Sequence, residues 1–427
     1  RYCDDYNKAG PQSAAKMLKV LSLMGLGGVL EFYDFIVYAL FAGYISAVFF
    51  PGDNQVTALL ETFAVFSIGY VVRPVGGIIF GHFGDRFGRK RVFTISILLM
   101  AISTLLIAFV PSYASWGVAA PIVLTIFRII QGLSIGGEIP GAVTFVSEIM
   151  PKRRGLGCGF VFFSLILGIV IGSLVHLLLN HLIHIGQLGP WGWRIAFVIG
   201  GIFGLFGYFM RRALYESPSF VALQDKIARV PAIVLLKNDF RSVVSGWLIT
   251  SMIAVSVTLF FLFGPIYLTK LLNYPSPPVF WGNIIGLFIV SVLCVVVGMM
   301  IDYRGKRVVL AVMIILVLLV AGPFYQAQID YRLPFMLQVM IPALLMAGVT
   351  GIIPVLLAEL FPTEVRYSGV GLVYNLGFAI FGGLTPVIVM ALIDGTKNLM
   401  MPAYYLIAVC FIGLIGVLLV PKQRYFD

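Results

Sequence analysis

The chain has 427 residues, of which 60% are hydrophobic and only 11% charged, and its net charge is +11. A soluble domain carries about 25% charged residues, so this composition excludes an ordinary soluble protein. Apolar runs recur from end to end and indicate an all-α polytopic membrane protein.

Residues 1–16 are polar and do not read as a signal peptide. Twelve spans follow, at 20–49, 57–81, 92–110, 117–147, 156–184, 193–210, 242–269, 278–301, 308–327, 334–360, 368–393 and 400–420. Each is long enough to cross a hydrocarbon core of about 30 Å. The longest polar connection, 211–241, separates a six-helix half (1–210) from a second one (242–427). With the N-terminus inside, 23 of the 29 basic residues fall on inner segments, and the outer ones keep only Arg194, Lys270, Arg332 and Lys397. This bias predicts both termini in the cytoplasm and the 51–56 loop outside. It accounts for most of the +11 and removes charge as an argument for a nucleic-acid or anionic partner.

Along the first half, ionisable residues stand inside the spans, where each calls for a function. Span one holds Glu31 and Asp34, three residues apart and so on one face, flanked by Tyr33 and Tyr38. Asp34 lies 15 residues beyond Lys19, about 22 Å along a helix and hence near mid-membrane. Arg73 on span two and Arg128 on span four reach a similar depth, with Gln131 one turn on. Glu138 sits deeper toward the inner side. A carboxylate whose proton affinity is raised by desolvation and lowered by a nearby arginine is suited to carry a proton. Asp34, Glu31, Arg128 and Glu138 are the candidates for that role. Arg73 is the first choice for a substrate carboxylate, because a guanidinium binds one bidentately. Tyr33, Tyr38 and Gln131 are further candidates for substrate contact. So is Arg194, for which snorkelling to headgroups is the alternative. The second half has no Asp, Glu, Lys or Arg inside its spans, so it offers neutral groups: Tyr267, Gln338, Tyr374 and Asn375.

Between spans two and three stands GHFGDRFGRKRV (81–92), answered by GMMIDYRGKRVV (298–309). SEIMPKRRG (147–155) is answered by AELFPTEVRYSG (358–369). These pairs are the trace of a duplicated transporter. A topology signal needs Lys and Arg but not acids at repeated positions, so the segments are candidate gates. Gly81 and Gly88 permit a tight turn and close approach. Asp85 can accept from a helix N-terminus, Arg89 can pair with Glu148, and Arg154 is then a partner for Asp85. Asp302, Arg307, Glu359 and Arg366 are the matching set. At a wet edge each pair contributes about 0–1 kcal/mol.

GHFGDRFGRK and RIIQGLSIGGE resemble signatures of the major facilitator superfamily. LEFYDFIVYALFA (30–42), RPVGGIIFG (73–81), GGEIPGAVTFVSEIMPKRRG (136–155), WGWRIAF (191–197) and YNLGFAIFGGLTP (374–386) resemble its metabolite:H⁺ symporters. That family includes proline/betaine, α-ketoglutarate, citrate and shikimate permeases. The resemblance implies two pseudo-symmetric six-helix bundles in a bacterial inner membrane, alternating access, a functional monomer, and no cofactor beyond the coupling proton. It also favours Asp34 with Arg128 as the proton-coupled pair. Span five lacks the GPxxGG motif of drug/H⁺ antiporters, which points to uptake of a small polar, carboxylate-bearing or zwitterionic metabolite. The alternatives are an uncoupled facilitator or exchanger and a solute sensor. No phosphate-binding G-x-x-x-x-G-K-[ST] is present. Cys3, Cys158, Cys294 and Cys410 are scattered, and His176, His181 and His184 match no metal-ligand spacing.

Overall fold

The computed structural model describes residues 11–52, 55–212, 214, 216, 221, 231–303 and 305–421. Cys3, the centre of the 51–56 loop, about half of the central connection and several basic residues of the inner-side count (Arg1, Lys8, Lys226, Arg229, Arg304, Lys422, Arg424) lie outside them. Among the described residues no strand forms, and twelve helices are long and apolar enough to cross a membrane. They are α1 (Leu21–Leu40), α2 (Glu61–Phe87), α3 (Arg89–Ile107), α4 (Ala119–Ile149), α5 (Arg154–His184), α6 (Pro190–Arg211), α7 (Phe240–Leu271), α8 (Ser276–Ile301), α9 (Lys306–Ile329), α10 (Phe335–Glu359), α11 (Thr363–Thr396) and α12 (Met401–Leu419). Large apolar side chains such as Phe206, Phe209, Phe280 and Leu319 stay on the outside. In lipid such a surface needs no protein partner.

The charged segment at 81–92 is not an extended loop. α2 runs to Phe87 and α3 begins at Arg89, so the turn is Gly88 alone, with φ 114° and ψ 140°. That conformation strains any side-chain-bearing residue. The charges therefore sit on two helix ends at fixed angles.

The two halves meet along two seams at this basic end, α2 against α11 and α5 against α8. Small residues bring the backbones together. A Cβ on Gly81 would lie 2.7 Å from Ser368 Cα. Gly155 and Gly298 are so close that a Cβ on either would collide with the carbonyl of the other.

Prolines shape the helices. Pro140, Pro265 and Pro386 lack an N–H, so the carbonyls of Gly136, Phe261 and Gly382 lose their usual i+4 donor. A side chain from another helix supplies one each time. Asn375 Nδ2 donates to Gly136 O at 2.8 Å, Asn283 Nδ2 to Phe261 O at 3.1 Å, and Thr258 Oγ1 to Gly382 O at 3.4 Å. Around the last two, α7 and α11 are locally wound as π-helix, at Thr258–Leu262 and Gly377–Gly382.

Candidate functional site

Among the described residues, Asp34, Glu31 and Glu138 each form an ion pair within the first half. In the Asp34 network, Arg128 Nη1 donates to Asp34 Oδ2 at 2.9 Å and to Gln131 Oε1 at 2.8 Å. Gln131 Nε2 donates to Asp34 Oδ1 at 3.0 Å and to Thr104 Oγ1 at 2.8 Å. The guanidinium rests over Tyr38, 4.4 Å from its centroid. Asp34 and Arg128 are 1% and 4% exposed, so the charges are balanced away from water. The spacing of α1 places the second carboxylate one turn away, and Glu31 meets Arg73 in a single 3.5 Å contact. Arg73 stands where α2 restarts after a break at Val72, with Pro74 behind it, and its Cζ lies 4.0 Å from the Tyr70 centroid.

The third pair revises an expectation. Glu138 does not join Asp34; its carboxylate holds Arg211 Nη2 at 2.6 Å and accepts from Ser96 Oγ at 2.6 Å. Arg211 also donates to the carbonyls of Leu23, Met24 and Phe93 at 3.0, 3.2 and 3.2 Å. Each atom is committed to structure, so Glu138 ties α1, α3, α4 and α6 together.

Several substrate candidates are likewise occupied elsewhere. Tyr33 turns toward α6, and its hydroxyl donates to Ala196 O at 2.7 Å. Tyr38 donates to Thr62 O at 3.2 Å, and Gln131 belongs to the Asp34 network. Arg194 does not snorkel; it donates to the carbonyls of Ala108 and Val110 just past the end of α3, at 2.8 and 2.7 Å. Asn375 spends its two amide hydrogens on Gly136 O and Gly371 O. Tyr267 donates to Leu399 O at 2.8 Å and Gln338 to Leu333 O at 3.1 Å. Both line a cavity of about 50 Å³ wholly within the second half. Tyr374 is buried beside Phe162 and Phe378.

At the basic end the acidic and basic repeats interlock across the seams. Asp85 accepts from the backbone N–H of Tyr367 and Ser368, at 3.2 and 2.9 Å, in the first turns of α11. Asp302 accepts from Gly155 and Leu156, at 2.6 and 3.1 Å, at the start of α5. Each carboxylate thus holds the N-terminus of a helix in the opposite half, where backbone donors and the macrodipole favour negative charge. Arg89 contacts Asp85 at 3.2 Å and Glu148 at 3.4 Å, and Glu148 reaches across to Arg366 at 2.9 Å. The partner of Arg154 is Glu359, at 3.6 Å, rather than Asp85; Lys306 joins Glu359 at 2.9 Å. Arg307 leaves the cluster and donates to Leu418 O at 3.1 Å. Asp85, Arg89, Glu148 and Arg366 are all at most 2% exposed, so this cluster is dry rather than at a wet edge. The second cluster is less dry: Arg154, Glu359 and Lys306 side chains are 13%, 9% and 13% exposed, and Asp302 is half-buried. Partial burial pushes the Asp302 carboxyl up, opposed by the two N–H groups and Lys306.

Sequence reasoning missed Arg211, Tyr70, Thr104, Ser96, Glu216 and Lys306. Glu216 accepts from the Lys90 N–H, at 3.1 and 3.2 Å, and so closes the start of α3. For Arg211 a signal existed: Glu138 is buried in a span and demands a cation, and Arg211 closes α6 at the same end of the bundle.

A family model described as Major Facilitator Superfamily matches residues 24–386. The "Proline/betaine transporter" of Escherichia coli K12 is 34% identical over 416 residues, covering 94% of this chain and 82% of that one. The "Glycine betaine/proline/ectoine/pipecolic acid transporter OusA" of Dickeya dadantii is 33% identical over the same shares. The solved proton:xylose symporter XylE superposes with a TM-score of 0.76 at 18% identity, with 95% of each chain covered. The chain belongs to the Major Facilitator Superfamily and is a solute transporter, not an enzyme.

Proposed function

We propose that this chain imports a small zwitterionic or carboxylate-bearing metabolite together with a proton, by alternating access in a bacterial inner membrane. The observation that carries the reading is the buried Asp34–Arg128 pair, in the half that holds every mid-span charge. Both oxygens of Asp34 are partnered. Protonation would remove the charge that binds Arg128 and release its guanidinium from α1; deprotonation would re-form the pair. The names of the relatives, proline/betaine transporters and a proton:xylose symporter, support solute and coupling alike. The basic end is then cytoplasmic, and the two interlocked clusters hold that side closed.

The test is uptake into proteoliposomes with an imposed pH gradient. Wild type should accumulate solute above equilibrium. Asp34→Asn should lose accumulation yet keep counterflow exchange. Wild-type accumulation by Asp34→Asn would remove Asp34 as the carrier, and gradient-independent uptake by wild type would make the protein a facilitator. Orientation is tested by a cysteine at exposed Ser115, between α3 and α4, in a background without Cys3. It should react with an impermeant maleimide on intact cells, and reaction only after lysis would invert the topology.

A further inference from the structure

The two mid-span pairs differ in how complete they are. Around Asp34 both carboxylate oxygens have partners. Around Glu31 one does not: Glu31 Oε2 is buried and, among the described residues, has no hydrogen-bond partner, while the two pairs are alike in that neither Arg73 Nε nor Arg128 Nε has one. The pair is joined only by the 3.5 Å contact. A fully buried carboxylate oxygen left unsatisfied is costly, and such a vacancy is kept where a ligand fills it. The position suits one, because α2, which carries Arg73, packs against α11 of the other half: a Cβ on Gly77, one turn on from Arg73, would lie 2.5 Å from Nδ2 of Asn375, the neighbour of Tyr374.

Charge balance narrows the ligand. Within the first half Arg73 is matched by Glu31, Arg128 by Asp34 and Arg211 by Glu138. The span interiors of the second half add no charge. A dicarboxylate finds no unmatched cation there, and a simple cation no unmatched anion. A zwitterion offers one charge to each partner and leaves the net charge of the buried site at zero. The Tyr70 ring already holds a cation against its face, in Arg73.

We propose that Glu31 and Arg73 form a two-point clamp for a zwitterionic solute. Arg73 takes the carboxylate, and Glu31 takes the cationic nitrogen, with the rings of Tyr70 and Tyr374 against its alkyl groups. Glu31 is then a specificity residue and not a proton carrier. The proposal rests on the reading of the chain as an importer with Asp34 as carrier, and adds the class of solute and its orientation.

The test is equilibrium binding to purified protein in nanodiscs, using matched pairs that differ only in the positive charge. These are glycine betaine against 3,3-dimethylbutanoate, and proline against cyclopentanecarboxylate, with succinate as the dianion. Wild type should prefer the zwitterion at least tenfold in one pair or both. Glu31→Gln should bring that pair within threefold, while Glu31→Asp keeps most of the preference. Asp34→Asn should keep the preference and lose only pH-driven accumulation. Absence of preference in wild type overturns the clamp, as does preference surviving in Glu31→Gln, equal loss of both members of a pair in folded Glu31→Gln, or tighter binding of succinate. If Glu31→Gln does not fold, the wild-type ratio and Glu31→Asp decide. Accumulation that survives in Asp34→Asn alongside an intact preference would sink the coupling reading and leave the clamp standing.

Discussion

At the scale of single residues, the buried charges divide into those that bind and those that build. Glu138 and Arg211 build. Removing Arg211 leaves a carboxylate buried and unpaired, and breaking such a pair costs about 3–5 kcal/mol. Arg211→Ala should therefore lower the thermal unfolding temperature sharply in detergent, and Glu138→Gln in the same chain should recover much of the loss. If Arg211→Ala unfolds like wild type, the pair is not structural. Gly27 belongs to the same argument, since a Cβ there would meet Glu138 Oε1 and Arg211 Nη2; Gly27→Ala should destabilise in the same way. Arg194→Gln removes two charge-assisted bonds to carbonyls at the end of α3, and should cost about 1.5–3 kcal/mol of stability while changing substrate affinity less than about twofold. A large loss of affinity at unchanged stability would return Arg194 to the binding site. Helical rise alone brought Asp34, Arg73 and Arg128 to one depth, because depth needs only a count of residues from the membrane edge. It did not supply partners. Arg211 was read as the start of a loop because hydropathy falls there, although the helix carries it inward to Glu138. The hydroxyls of Tyr33, Tyr38 and Tyr267 were assigned to substrate, yet each satisfies a carbonyl on another segment, which no single-sequence pattern announces.

Among the helices, the spans were legible because a hydrocarbon solvent demands long apolar helices with every backbone bond satisfied internally. The sequence pattern located all twelve and set ten of them to within five residues at each end, although span one runs nine residues past α1 and span two stops six short of the end of α2; it did not locate the proline-freed carbonyls, whose donors lie on other helices. Asn375 is the clearest case. It was read as a substrate ligand because a polar group in an apolar span asks for a partner, and that partner is Gly136 O across the seam, 239 residues away in sequence. The cause is Pro140, so the dependence can be tested by restoring the missing N–H. Asn375→Leu should destabilise the protein by about 1–3 kcal/mol, the cost of a buried unsatisfied carbonyl. Pro140→Ala lets residue 140 donate to Gly136 O within α4. The double variant should therefore lose less than the two single losses added, by more than about 0.5 kcal/mol. Strict additivity in denaturation would show that Asn375 is held for some other reason.

For the whole molecule, the two halves repeat each other in sequence but not in environment, and that difference has a consequence for the gate. The repeated acids were legible as candidate latches, and Asp85 was expected to hold a helix N-terminus. Their depth was not legible, because burial at the seam depends on the opposite half arriving. Asp85 is 2% exposed and bound to Tyr367, Ser368 and Arg89, whereas Asp302 is only half-buried and bound to the N–H groups of Gly155 and Leu156. Bonds to a buried charge contribute about 1.5–3 kcal/mol, and a water-exposed charge pair about 0–1 kcal/mol. Asp85→Asn should therefore shift the balance between closed and open basic ends by roughly ten- to a hundredfold, and Asp302→Asn by no more than about fivefold. Native thiols report the shift. Cys294 is buried at the α5–α8 seam, where its thiol faces Gly159 O, and Cys158 is buried beside the Asp302 cluster. Cys410, on α12 packed against α7 and α9, serves as an internal control for unfolding. In a Cys3→Ser background, maleimide labelling of Cys158 and Cys294 should accelerate far more in Asp85→Asn than in Asp302→Asn, with Cys410 unchanged in both. Asp85 lies on the other seam, so acceleration at Cys158 also requires the halves to rock as rigid bodies. Adding Arg89→Ala to Asp85→Asn should give less than the product of the two single effects, since both residues serve one network. Faster labelling in Asp302→Asn than in Asp85→Asn would mean that the seams open one at a time and that the dry cluster does not dominate the gate.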